Sequence, residues 1–290
     1  MTKLFFDSPA NVRFLSYPQL PLMKNLFIGF VVSIVTFSCN NSSEPATQTT
    51  DSLQQLLQSI RDSIAKYPDD PKPKYNLAIV LQDAGKYKEA VLALDSMNVS
   101  KADSTDLRLY FDYLFKRSEL LELAGDTTEA IKTLELFVMP GELTQAGFRL
   151  TNLYAETKNQ KAILFCDEMN KNDASGRDPH PSYFKGIYYY NIGEQGKALL
   201  QFDECIRKDY NFTDAYLEKG IIFYKQKKYN DAIKTFDLAL KVSSSFSEAF
   251  FWKAKCQEAI GQNQDAKLNY QRAYGLDKTL IEAKEKADKL

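Results

Sequence analysis

Only one histidine, His180, and four cysteines, Cys39, Cys166, Cys205 and Cys256, are available for acid–base, metal or thiol chemistry in 290 residues. His180 stands between Pro179 and Pro181 with no second imidazole in the chain, and no two cysteines have Cys-x-x-Cys spacing, so one histidine cannot complete a zinc site with them. For Cys166, Cys205 and Cys256 two readings stay open: free thiols packed as small apolar side chains, or a Cys166–Cys205 disulfide in an oxidising compartment. The nucleophile elbow, the dinucleotide fingerprint and the His-Glu-x-x-His pair are absent. So is the phosphate loop, because Gly85-Lys86 is followed by Tyr87 and Gly196-Lys197 by Ala198. Carboxylates such as Glu218 and Glu258 fall on helix faces expected to be exposed, and nothing marks two of them as an acid–base pair. The residues therefore imply no catalytic group, no metal ligand, no cofactor and no small-molecule substrate. Thirty-seven basic against 38 acidic side chains leave a net charge of −1, which lacks the positive surplus that binding to nucleic acid requires.

Cys39 has a different context. Residues 26–37 read LFIGFVVSIVTF, twelve uncharged positions behind Met23 and Lys24, too short to span a bilayer and suited to the core of a signal peptide. Ser38-Cys39 at the end of this core resembles the lipobox of bacterial lipoproteins, although Thr36 and Phe37 depart from the usual Leu or Val and small residue. That resemblance implies a lipidated Cys39 and a place in the bacterial cell envelope, on the periplasmic side of the outer membrane. A secreted or periplasmic soluble protein is the alternative. The resulting division is an upstream extension (1–22) unlike a signal n-region, a signal peptide (23–38), the lipidated cysteine with a polar tether (39–50), and a folded part (51–290).

The folded part repeats. Ala198, Ala232 and Ala266 lie 34 residues apart, as do Gly186, Gly220 and Ala254, and Phe202, Phe236 and Tyr270. Counting from Pro179, Thr213 and Ser247 as position 1, the middle copy reads TDAYLEKGIIFYKQKKYNDAIKTFDLALKVSSSF and resembles a tetratricopeptide repeat. Tyr216, Gly220, Phe223, Lys227, Ala232, Phe236 and Ala239 fill the family's large, small, aromatic, turn, small, aromatic and small places. Small residues at positions 8 and 20 let two helices cross closely, and the aromatics at 11 and 24 are expected to fill the space beside the crossing. The clearest copies are 71–98, 111–139, 179–212, 213–246 and 247–280, with a degenerate copy around 144–169 and a preceding helix at 52–66. Longer connectors are expected at 99–106 and 170–177, and a capping helix at 281–290.

The resemblance implies an all-α fold: a right-handed α-solenoid of stacked antiparallel helix pairs with that C-terminal capping helix. It also implies a partner-binding groove lined by positions 2, 5, 9, 12 and 13 of each first helix. Those places hold Tyr75, Ile79, Tyr183, Ile187, Tyr190, Asn191, Leu217, Ile221, Tyr224, Lys225, Phe251 and Lys255, with Gln82, Asp83, Asp214, Glu248 and Glu258 beside them. Exposed aromatics and aliphatics in a row fit an extended or helical peptide. Chaperone-type members clamp a carboxylate with basic residues at positions 5 and 9, where this chain has Tyr183, Ile187, Leu217 and Ile221. The function expected is a non-enzymatic scaffold that binds a protein or peptide partner in the envelope and is held to the membrane by its lipid. Two alternatives remain: a structural subunit of an outer-membrane assembly or secretion machine, and an enzyme or regulator of wall metabolism.

Overall fold

A computed structural model describes residues 46–97 and 107–290. The signal peptide, Cys39, the upstream extension, most of the tether and the connector at 99–106 lie outside the described residues. Fourteen α-helices and no strand occur among the described residues. The chain divides into two compact units, Met1–Leu136 and Phe137–Leu290. Unit 1 holds α1 (Ala46–Lys66), α2 (Pro71–Asp83), α3 (Tyr87–Asp95), α4 (Leu107–Leu123) and α5 (Thr127–Glu135). Unit 2 begins with α6 (Gln145–Glu156), α7 (Lys161–Asn172), α8 (His180–Asn191), α9 (Gln195–Lys208) and α10 (Thr213–Lys225). It continues with α11 (Tyr229–Val242), α12 (Ser247–Ala259), α13 (Asn263–Leu276) and α14 (Ile281–Lys289). Two starts are earlier than the periodicity indicates: α1 at Ala46 rather than 52, and α4 at Leu107 rather than 111.

Within each unit, helices pack as pairs upon pairs, the architecture of an α-solenoid. In unit 2 the first helices also touch one another, α6 against α8 and α10 against α12. Local polar bonds cap the starts of α2 and α6. Asp70 accepts from the Lys72 N–H at 3.0 Å ahead of Pro71, and Thr144 Oγ1 accepts from the Gly147 N–H at 3.1 Å. Between pairs, Asp173, Asp209 and Asp277 each accept a backbone N–H two residues ahead, at 2.9, 2.9 and 2.8 Å, which turns the chain into the next helix. The first helix of each pair stops on a residue in the left-handed region. In α8 this is Gly193 (φ +88°), whose N–H bonds the Tyr190 carbonyl while the Glu194 N–H reaches back to Tyr189. In α10 the same place is taken by Lys227, at φ +61°.

The repeat spacing has the packing cause expected of it. Phe202 lies over Gly186 and Phe236 over Gly220, both rings fully buried. A methyl group at position 186 would sit 2.5 Å from Phe202 Cε1, so the glycine is what allows the ring its place. In the third copy Ala254 and Tyr270 share one core with Phe251, Ala266 and Ala273, and Ala283 and Ala287 of α14 close over them. Position 11 contributes less to this core: Tyr189 and Phe223 are only half-buried. Among the described residues, no helix is long and apolar enough to cross a membrane and no cluster of residues could hold a metal ion.

Candidate functional site

The groove positions divide sharply by depth. Tyr183, Ile187, Leu217, Ile221 and Phe251, expected to be exposed, are buried to 8% accessibility or less. The next first helix covers Leu217 and Ile221, while rings of the same pair and of the following turn cover Tyr183. Leu217 and Ile221 of α10 share a core with Cys256 of α12, bordered by Tyr224 and Trp252. Tyr183 is enclosed by the rings of Phe184, Phe202 and Phe212 at centroid distances of 5.9, 5.9 and 5.0 Å. These five side chains therefore form the packed layer between repeats, and burying them stabilises the stack by about 1.5–3 kcal/mol each. Tyr75 and Ile79 of α2 in unit 1 are half-buried; burial, and then the Glu119 and Asp112 carboxylates on α4, push the Tyr75 hydroxyl up from its ordinary pKa.

What stays accessible in unit 2 is the row at positions 12 and 13 with two neighbours. Lys225 donates to the Tyr190 hydroxyl, at the edge of that ring. Asn191 donates to the Ala155 carbonyl at 3.2 Å, tying the end of α8 to that of α6. Tyr224 meets Trp252 edge-on at 5.4 Å, and Lys255 sits 5.0 Å from the Trp252 ring and 5.1 Å from Phe251. Lys255 also pairs with Glu282 of α14 at 3.2 Å. Trp252, the only tryptophan of the chain, is a site residue that the position rule misses; its signal in the sequence is its rarity and its place beside Phe251. The row thus alternates ammonium groups with half-buried aromatic rings across α8, α10 and α12.

The remaining titratable groups are structural. Cys166, Cys205 and Cys256 are free and fully buried, which removes the Cys166–Cys205 disulfide. Burial pushes the Cys166 and Cys256 thiols up to about 12 and Cys205 further, so none is a thiolate near neutral pH. His180 stacks on Phe148 at 4.2 Å, and its Nδ1 bonds Asp178 at 2.6 Å. Glu258 is not a solvated-face carboxylate. It is half-buried and accepts from the Tyr270 hydroxyl at 2.7 Å and from Lys286 Nζ at 2.8 Å. Burial works to raise its pKa, but the bonds from Lys286 and Tyr270 outweigh it and hold the carboxyl below the usual range. Glu218 is likewise half-buried.

A second set of charges was legible only as spacing. Lys185 pairs with Asp167 at 2.6 Å, Lys219 with Asp203 at 2.5 Å and Lys253 with Asp237 at 2.6 Å, each lysine on the first helix of one pair and each aspartate on the second helix of the pair before. The three lysines lie 34 residues apart, a period that could have revealed the bonds.

Residues 183–245 and 217–279 match the tetratricopeptide repeat family. A tetratricopeptide repeat protein from Parabacteroides merdae, 16% identical, superposes with a TM-score of 0.63 over 83% of this chain and 93% of that one. The Cut9–Hcn1 hetero-tetramer of the APC/C, 12% identical, superposes with a TM-score of 0.50 over 83% of this chain and 46% of that one. A search of the curated proteins finds no match to the sequence. Family match, repeat geometry and fold agree over residues 183–279, which carry tetratricopeptide repeats within an α-solenoid of stacked helix pairs.

Proposed function

We propose that this protein is a non-enzymatic scaffold that binds a protein or peptide segment along the accessible row of α8, α10 and α12. One observation carries the reading: Tyr190 with Lys225, and Tyr224 with Trp252 and Lys255, form a row of aromatic and cationic groups across three successive first helices, while the layer beneath them is packed. Tyrosine and tryptophan on a rigid backbone present large contact area at small entropic cost, and such residues dominate binding energy at protein interfaces. The partner is identified by placing a photo-crosslinker at position 224 in the native cell. Substituting Tyr190→Ala and Tyr224→Ala together should weaken the crosslinked partner by about a hundredfold, at roughly 1–2 kcal/mol per anchor, with helicity unchanged. Retained affinity with both changed rejects the row as the binding site.

The same proposal places the scaffold in the bacterial cell envelope, tethered through an acylated Cys39 on the periplasmic side of the outer membrane. The apolar core at 26–37 and Ser38-Cys39 support it. Mass spectrometry of the mature protein should find a thioether-linked diacylglyceryl group on Cys39; its absence removes the anchor and leaves the scaffold standing.

A further inference from the structure

The turns after α6, α8 and α10 lie side by side in unit 2. Asn191 reaches the Ala155 carbonyl at 3.2 Å, Gln226 Nε2 donates to Gln195 Oε1 at 2.9 Å, and Lys225 bonds Tyr190. These bonds make one continuous edge, bordering the accessible aromatic row. At its middle, Lys225, Lys227 and Lys228 fall within four residues, all exposed. Among the described residues no carboxylate pairs with any of the three. Of the carboxylates on the elements that meet there, Glu194 is held by Lys197 at 3.0 Å, and Asp231 lies in the first turn of α11. The lysines of the repeat seam, Lys185, Lys219 and Lys253, are by contrast all paired with aspartates. A local excess of ammonium groups in a chain of net charge −1 is a feature of this edge rather than of composition.

A second observation is independent of charge. Lys227 adopts φ +61° at the place where the flanking turns use Gly193 at +88° and Gly261 at +79°. A side chain in that region costs about 1 kcal/mol relative to glycine, so the lysine sits where it strains the backbone. Backbone strain of this kind clusters at ligand contacts, and here it falls on an exposed charged residue. Lys158, in the α6–α7 turn of the same edge, is exposed and has the same φ of +61°.

We infer that this edge binds an acidic peptide segment of the partner, its Asp and Glu carboxylates meeting Lys225, Lys227 and Lys228 while the neighbouring chain enters the row at Tyr190 and Tyr224. The inference rests on the scaffold reading and names the partner's chemistry. Lysine suits the task as a point charge on a flexible stem that can follow carboxylates of variable spacing. Contact with the groove tyrosines favours a peptide over a flat anionic surface.

The test uses fluorescein-labelled decaglutamate and the full chain at low ionic strength, read by fluorescence anisotropy. Wild type should bind, and added salt should weaken binding steeply. The K225Q/K227G/K228Q variant should bind at least about tenfold more weakly, roughly 1.4 kcal/mol or more. A K234Q/K241Q control on the outer face of α11 should bind as wild type does. Wild type that ignores decaglutamate, or a triple variant that binds it equally, overturns the edge. So does binding to phosphatidylglycerol vesicles in place of the peptide. Because decaglutamate has no aromatic groups, Y190A/Y224A should retain it while losing the crosslinked partner. Failure of the edge alone therefore leaves the groove reading intact.

Discussion

In both units a cation on the first helix of one pair reaches an aspartate on the second helix of the pair before it, but the two units use different cations. In unit 1, Arg117 of α4 puts Nε 2.8 Å and Nη2 3.4 Å from the Asp95 carboxylate, and Nη1 donates to Thr133 Oγ1 at 2.6 Å. Tyr113 adds its hydroxyl to Asp95 at 3.1 Å; burial and that carboxylate push its pKa up to about 12. In unit 2 the equivalent joint recurs three times with a lysine making one bond. The packing beneath differs in parallel. Unit 2 sets Gly186 under Phe202 and Gly220 under Phe236, where unit 1 has Ala78 with Leu94 and Ser118 with Leu134 at the corresponding positions. In α6 and α7 the order is reversed, Leu150 at the first place and Cys166 at the second. All of these side chains are fully buried, so a helix pair keeps its spacing by holding the summed volume of two positions, not by a fixed residue at either.

The sharpest way to break that comparison is to move one unit's packing into the other. Gly220→Ala puts a methyl group into the Phe236 ring and should destabilise by about 1–3 kcal/mol. Adding Phe236→Leu recreates the alanine–leucine pairing of unit 1 and should recover at least half of that loss. Thermal unfolding followed by circular dichroism reads both. A G220A chain that melts with wild type, or a double variant worse than the sum of its singles, contradicts volume compensation.

The polar half of the comparison predicts smaller effects. Arg117→Met removes three bonds and leaves Asp95 with Tyr113 alone, so a loss of about 1–2 kcal/mol is expected in urea unfolding. Lys219→Met should cost only about 0.2–1 kcal/mol and become neutral at high salt, because its partner Asp203 is 53% exposed. Equal costs for the two variants would mean that the arginine network adds nothing beyond one ion pair.

These differences also explain how far the sequence could be read. The 34-residue recurrence of alanine, glycine and aromatic residues implies the helix pairs and their crossing, because a close approach demands a small residue wherever it recurs. The groove was only half legible. A position rule says which side Leu217 and Ile221 face, but not that the next first helix covers them, since coverage depends on how far one pair is stacked over another. Lys185, Lys219 and Lys253 carry the same period as the core residues and still read as solvent charges, because charged residues on helix faces usually are. Glu258 reads the same way until the fold brings Lys286 of α14 to it across 28 residues.

A similarly small effect separates stability from binding on one residue. The left-handed slot after α10 holds Lys227, and the equivalent slots after α8 and α12 hold glycine with open space around a would-be side chain. Lys227→Gly should therefore raise stability by about 0.5–1 kcal/mol and the melting temperature by about 1–3 °C, since it relieves strain and removes no contact. The same substitution should weaken decaglutamate binding, because one of the three edge charges is lost. Lys227→Ala removes the charge and keeps the strain, so it should weaken the peptide equally without the gain in stability. If K227G is no more stable than wild type, the strain argument for the edge fails. If K227G gains stability and binds decaglutamate unchanged, the lysine is a tolerated turn residue, and the charge of the edge resides in Lys225 and Lys228.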